Sequence, residues 1–465
     1  MATDRTTSEG PLKAAATARE LATRVLQRVA DEGAFASVAL DAELGRAGLE
    51  PRDAALATAI VYGALRVLPE LDAQIEARLR RKGRLDPLVQ AVLRAACYQL
   101  QHLGRLPTHA IVDQSVTLVR AARGKQVAGF VNAVLRALSR QRPKAPSPPT
   151  RLVPPAWIAA ALTRDLGAER AERLLRIDAE EPPLGLRARP GEREALAQAI
   201  AAVRPRAQVL AGSLAPDALL VHRAGDPRAL PGYVEGAFVV QEQGAQALAH
   251  ALGAQPGERV ADLCAGHGGK TTLLAQMLFG ASRVPPDGPA LLSVDVDPRK
   301  LERIGPELVR LGLPAGCVQT RAVDLSVGLG GIELGFDRVL VDAPCSGLGT
   351  LGRRPDLALR LSPADPARLG ELQRAILERA LQLVRPGGLL LFAVCSPLNA
   401  EGAAVATALE RAHPGLERLG AEGLSPALQA AVDADSVLRL GPWLSDEPGA
   451  ASDAYQVLRW RLPAG

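Results

Sequence analysis

The chain has 465 residues, 48% hydrophobic and 23% charged, with a net charge of +5; this is the make-up of a globular protein with length for two to four domains. That charge is uneven: residues 1–150 hold 22 Lys and Arg against 14 Asp and Glu, and the remainder holds 33 against 36. No apolar core opens the sequence at "MATDRTTSEG" and no uncharged run is long enough to span a bilayer, so neither a secretory leader nor a membrane span is expected.

Residues 12–141 read as helix after helix. In "DPLVQAVLRAACYQLQHL" (86–103) Asp86 suits an N-cap, Pro87 suits the first helical position, and Leu88, Val92, Cys97, Leu100 and Leu103 recur at helical spacing. "AGFVNAVLRALSRQ" (128–141) repeats the pattern with Phe130, Val134, Leu135 and Leu138. Within 76–144 there are 14 basic residues and three acids. Such a basic bundle suits a polyanion, because each phosphate contact displaces counterions; solvated arginine faces would give the same count. Six prolines fall within "RPKAPSPPTRLVPP" (142–155), a stretch that cannot hold a helix and reads as a linker. Residues 156–235 look mixed, with helices near 156–176 and 191–203 and short strands, and form a small α/β subdomain.

From residue 236 to 463 strands and helices alternate. The apolar runs "RVADLC" (259–264), "ALLSVDV" (290–296), "RVLVDA" (338–343) and "LLLFAVC" (389–395) are separated by helical stretches at 270–279, 298–312 and 366–384. Continuous apolar strands between helices predict a parallel, Rossmann-like sheet covered on both faces, so the fold class is α/β behind an all-helical bundle. "VADLCAGHGGKTTLLA" (260–275) runs strand, glycine-rich turn, helix, a geometry that suits polar or anionic ligand atoms but does not fit the phosphate-binding loop of nucleotide hydrolases. Acids fall at successive strand ends: Asp295 and Asp297, then Asp324, then Asp342. An acid at the second strand tip suits a ribose diol, although Asp also favours turns and caps.

The five cysteines, Cys97, Cys264, Cys317, Cys345 and Cys395, are odd in number, far apart and without a CxxC pair. That argues against a disulfide framework or a metal site and favours a reducing cytoplasm. Cys97 lies on an apolar helical stripe and is expected to pack. Cys345, in a Pro-Cys-Ser-Gly turn, and Cys395, at the end of an apolar run, both follow strands on the ligand side of the sheet. Two thiols facing one pyrimidine have a purpose. A thiolate adding at carbon 6 of cytosine makes carbon 5 nucleophilic toward a sulfonium methyl donor, and a second thiol assists the later elimination. An acid at Asp342 would hold the base edge, and the base would have to be unpaired or flipped out.

These residues resemble a known family. "DLCAGHGGKTT", "SVDVD", "DAPCSGLGTLGRRPD" and "FAVCS" look like the ordered motifs of the RNA cytosine-C5 methyltransferases that use S-adenosylmethionine, and "QEQGAQALAHAL" (241–252) resembles the segment before their donor loop. "GALR" (63–66), "YQLQHLGRLPTHAIVDQSV" (98–116) and "GFVNAVLRAL" (129–138) are similar to the antitermination-factor-like RNA-binding domain fused to one branch, the bacterial 16S ribosomal RNA methyltransferase B family. The resemblance implies that Cys395 is the nucleophile and Cys345 the thiol that helps release product. It implies that S-adenosylmethionine meets the loop Cys264, Ala265, Gly266, His267, Gly268, Gly269 and Lys270, with Asp295 on the ribose, Asp324 near the adenine and Asp342 near the methionine. The implied partner is RNA, 16S rRNA above all, with no DNA or membrane partner and a monomeric enzyme.

Some positions depart from the pattern. Gly266-His267 stands where the family has Ala-Pro, Val394 replaces the threonine before the nucleophile, "NAEG" (399–402) keeps only Glu401 of Pro-Glu-Glu-Asn, and "LGLRARP" (184–190) lacks an asparagine. Both cysteines and all the acids remain. A paralogue that binds RNA without turnover, or the same chemistry on tRNA, are the alternative readings.

Overall fold

The computed structural model describes residues 17–79, 83–176, 182–280, 290–314, 316–447 and 449–464; of the helical stretch expected from residue 12, positions 12–16 lie outside the described residues. The chain divides into two compact units, Met1–Pro155 with Arg354–Arg360, and Ala156–Arg353 with Leu361–Gly465.

The first unit is helical: α1 (Ala18–Asp31), α2 (Ala36–Ala47), α3 (Pro51–Arg66), α4 (Leu68–Glu76), α5 (Pro87–His102) and α6 (Thr108–Ser139). Its core includes Leu21, Ile60, Leu93, Leu100, Ile111, Leu135 and Leu138, all fully buried. Thr17 and Glu20 cap α1 reciprocally. Asp86 accepts from the Val89 amide at 3.2 Å with Pro87 at the first position of α5, as its sequence predicts. Cys97 is fully buried, and desolvation pushes its thiol up to about 12. The helix expected over 128–141 is the second half of α6, which breaks at Gly124 (φ +84°). Val134, Leu135 and Leu138 are buried as expected, with Val131 one turn before them; Phe130 is instead 39% exposed. The proline-rich stretch lies along this unit. Arg142 donates to the Leu103 and Leu106 carbonyls, and the Val153 amide donates to Arg66 O. Asp356, in the Arg354–Arg360 stretch, accepts from the Ala36 amide at 3.3 Å at the start of α2, where Phe35 offers no side-chain cap.

In the second unit α7 (Ala156–Leu166) and α8 (Ala168–Leu175) replace the single helix expected over 156–176, because Gly167 takes φ +79° between them. Strands β1 (Leu184–Ala188), β2 (Gln208–Ala211), β3 (Ala218–His222) and β4 (Phe238–Val240), with α9 (Arg193–Val203), form an antiparallel sheet ordered β2-β3-β1-β4. This sheet extends past residue 235, into the stretch where the catalytic half is expected to open.

The rest of the unit alternates as the apolar runs imply. In chain order come α10 (Gln243–Leu252), β5 (Val260–Leu263), α11 (Gly269–Phe279), β6 (Leu291–Asp295), α12 (Pro298–Leu301), α13 (Ile304–Arg310), β7 (Val318–Ala322) and β8 (Phe336–Asp342). They are followed by α14 (Asp365–Leu383), β9 (Val384–Val394), α15 (Ala403–Ala412), β10 (Glu417–Leu419), β11 (Leu438–Leu440) and β12 (Tyr455–Arg461). The sheet order is β10-β12-β9-β8-β5-β6-β7, with β11 on β12. Strands β5 to β9 are parallel and β12 runs antiparallel to β9. Alternate residues bury on opposite faces: Leu340 and Leu391 join one core cluster, and Val339, Val341, Leu390 and Phe392 join the other. Pro386-Gly387-Gly388 sits inside β9, as a bulge between the pairs Phe336–Val384 and Arg338–Leu389, with Gly387 at φ +70°. The helix expected over 298–312 is broken into α12 and α13. Because β5 lies between β6 and β8, the strand order reverses beside it, and the carboxyl ends of β5, β6, β8 and β9 border the crevice where such sheets bind ligands.

Replacing Asp86 with Ala removes the α5 cap and the 2.9 Å pair with Arg123, and is expected to cost about 1 kcal/mol in chemical denaturation at neutral pH. Burial pushes the Asp86 carboxyl up, but bonds from Arg123 and the Val89 amide outweigh it and hold the pKa below its ordinary value. A lowered carboxyl pKa stabilises above the unfolded-state value and loses that contribution as pH falls through the folded-state value, so the two proteins are expected to converge in acid.

Candidate active site

The pairing of β8 with β9 sets Asp342 opposite Ala393. Asp342 ends its strand three residues before Cys345, and Cys395 follows the last residue of β9. The turns after the two strands therefore leave the sheet side by side. Their sulfurs lie 3.3 Å apart, both as free thiols, close enough for one S–H to point at the other sulfur. The Gly349 amide donates to Cys395 O at 3.0 Å. A Cβ at Gly349 would stand 2.0 Å from the Ala454 carbonyl oxygen, so only glycine allows this close approach.

The surroundings decide which groups carry charge. The hydrogen bond with Cys395, burial, and the nearby charges of Cys395, Glu401 and Asp342 push the Cys345 thiol well above its ordinary range. Lys270 Nζ lies 2.5 Å from Asp342 Oδ2. Burial works against the ammonium, but Asp342, Asp262 and Cys395 outweigh it and raise the Lys270 pKa.

The glycine-rich turn after β5 is built on left-handed backbone at Cys264 (φ +62°), Gly266 (+58°) and Gly268 (+81°). The Ala265 amide donates to Val294 O, and the Gly266 amide to Asp295 Oδ2, both at 2.9 Å. Asp295 is buried at the end of β6 and also accepts from the Asp297 amide. Asp297 caps α12. Asp324 is exposed two residues past β7, and its Oδ1 accepts from the Ser326 amide and hydroxyl, a turn-forming pattern. Burial, with Asp342 and Asp295 nearby, pushes the Cys264 thiol up, and Cys317 is fully buried in the core. His267 is exposed at the tip of the turn; partial desolvation and the cations Arg303 and Lys300 lower its pKa.

Two further residues complete the site. Arg187 on β1 is 1% exposed; it donates to Gln241 Oε1, to Gly269 O at 3.0 Å and to Thr272 Oγ1 at 2.9 Å, fixing the start of α11. Burial draws its pKa down to about 9 against the pull of Glu307 and Asp217. Glu401, fully buried, accepts from Ser346 and Ser396, the residues after the two cysteines. The sequence signal for each is slight: an arginine inside an apolar strand, and one acid retained in an altered motif. Buried polar atoms around the glycine-rich turn, Asp262 Oδ1 and Gln241 Nε2, have no hydrogen-bond partner among the described residues. With the acids at the strand ends they suit a ligand bearing hydroxyl, amino and cationic groups.

Comparison with known proteins places the chain in a family. Residues 249–447 match the model of the family described as 16S rRNA methyltransferase RsmB/F, and residues 16–140 match that of the NusB family. A Mycobacterium tuberculosis protein, whose name marks it only as a methyltransferase, is 39% identical over 85% of this chain and 87% of its own. The ribosomal RNA small subunit methyltransferase B of Sodalis glossinidius is 32% identical over 88% of this chain and 93% of its own. The crystal structure of PH0851 shares the fold, with a TM-score of 0.74 at 20% identity over 94% of this chain and 98% of that one. With its paired thiols at the ends of β8 and β9 and its helical NusB-like unit, the chain belongs to the 16S rRNA methyltransferase RsmB/F family.

Proposed function

We propose that this protein methylates carbon 5 of a cytosine in 16S rRNA through a covalent adduct with Cys395. The observation that carries the reading is the 3.3 Å separation of the Cys345 and Cys395 sulfurs beside Asp342 and Lys270. The turn Cys264–Lys270 with Asp295, Asp324 and Asp342 is assigned to S-adenosylmethionine, which when bound supplies an electrophilic methyl group.

The chain's own residues do the remainder. Cys395 adds to carbon 6, breaking the ring double bond and making carbon 5 electron-rich. Asp342, with one oxygen on Lys270, has a second oxygen to offer the exocyclic amine of the base, and the Lys270 charge offsets the electron density that builds on the ring. Cys345, a thiol at rest, gives its proton to N3 of the ring on addition; as a thiolate it takes the carbon 5 proton after methylation while Cys395 is expelled, and the N3 proton leaves to solvent. The basic helical unit is assigned to RNA phosphates, on a loop or single-stranded segment whose cytosine can leave its stack.

Replacing Cys345 with Ala is expected to accumulate a covalent protein–RNA adduct, seen as a retarded band on a denaturing gel. Replacing Cys395 with Ala is expected to abolish both methylation and adduct; the opposite pattern would exchange the two roles. Bisulfite sequencing of RNA from a deletion strain is expected to lose one 5-methylcytosine signal in 16S rRNA, and a loss confined to tRNA would reassign the substrate. Changing the exposed Arg120 and Lys125 to Gln is expected to flatten the log–log salt dependence of RNA binding by about 2.

A further inference from the structure

We infer that Glu401 is a positioning residue that fixes the two thiols relative to each other; this rests on the reaction proposed above. Its carboxylate is fully buried. Oε1 accepts from the Ser346 amide at 2.5 Å, and Oε2 accepts from the Ser346 hydroxyl at 2.5 Å and the Ser396 hydroxyl at 2.7 Å. The two hydroxyls are themselves 3.1 Å apart. Each serine is bonded through the chain to one of the cysteines, so a single anion grips both turns one residue from the sulfurs.

Other side chains hold one turn each, and the backbone bond from the Gly349 amide to Cys395 O also links the two. Gln373 Nε2 donates to Pro344 O at 2.9 Å on the first turn. Gln456 Nε2 donates to Ser396 O and Leu398 O at 2.8 and 2.9 Å on the second. Glu401 is the one carboxylate among the described residues that accepts from both turns, and it holds the two serine hydroxyls that meet between them. Burial pushes its pKa up, while the bonds from Ser346 and Ser396 work the other way. An apolar side chain would avoid the desolvation cost of a buried carboxylate. A carboxylate here gains what an apolar group cannot supply, which is two acceptor oxygens taking three hydrogen bonds from two loops. Its charge also bears on Cys345, among the groups that keep that sulfur protonated.

The test is Glu401→Gln, which keeps size and shape but replaces an acceptor oxygen with an NH2 group facing serine hydroxyls. Two readouts are needed in the full chain. In RNA methylation kcat is expected to fall on the order of 100-fold, as for a misplacement near 1 Å, with KM for RNA nearly unchanged. In the absence of RNA, diamide accepts two electrons and two protons as the thiols join; mass spectrometry is expected to show the Cys345–Cys395 disulfide forming about tenfold more slowly than in the parent, because the bond demands specific sulfur geometry. The double variant Ser346→Ala with Ser396→Ala removes the same grip from the other side and decides the matter if Glu401→Gln does not fold. Unchanged disulfide rates in folded variants would overturn the inference. A parent enzyme that forms the disulfide readily but never methylates RNA would instead overturn the proposed function and leave the positioning role to the disulfide readout alone.

Discussion

The register of one strand pair governs this site. With Asp342 opposite Ala393, two chemically unlike turns are forced out of the sheet at neighbouring points, and the sulfurs they carry meet although fifty residues separate them. The pairing is secured from within, because β8 and β9 bury side chains on both faces. A slip by one residue would exchange Leu390 and Phe392 with Leu391 and Ala393 across the sheet. The chemistry thus borrows its precision from the hydrophobic core.

Around that pair the electrostatics are arranged in shells. Acids dominate the strand ends, and two ammonium groups meet them, Lys270 on Asp342 and Lys300 at 3.6 Å from Asp295. Charge is kept where it is used and suppressed where it is not: Cys345 is maintained as a thiol, and Arg187 is spent on backbone and side-chain oxygens instead of a carboxylate. Buried groups of this kind stabilise a particular geometry more than they stabilise the fold.

Much of this was legible in the sequence because it is local. Apolar runs of four to seven residues closed by Asp, Cys or Gly give both the strands and the positions of the cysteines, and Asp86-Pro87 marks a helix start without reference to anything distant. What stayed hidden depends on partners far along the chain. Glu401 meets Ser346 across 55 positions and Arg187 meets Thr272 across 85, and no periodicity encodes such encounters. A single glycine also decides a local break that helical periodicity does not encode: Gly167, at φ +79°, divides α7 from α8.

The contact from β1 to the start of α11 has a mechanical meaning. A guanidinium with no room to move pins the four-stranded sheet to the helix that begins at the glycine-rich turn. The small sheet is therefore a buttress: any tilt of β1 would be transmitted, through a rigid planar group, to the peptide units that shape the turn. Sequence drift in this outlying sheet would then be constrained by tolerances set at a loop some eighty residues further along the chain.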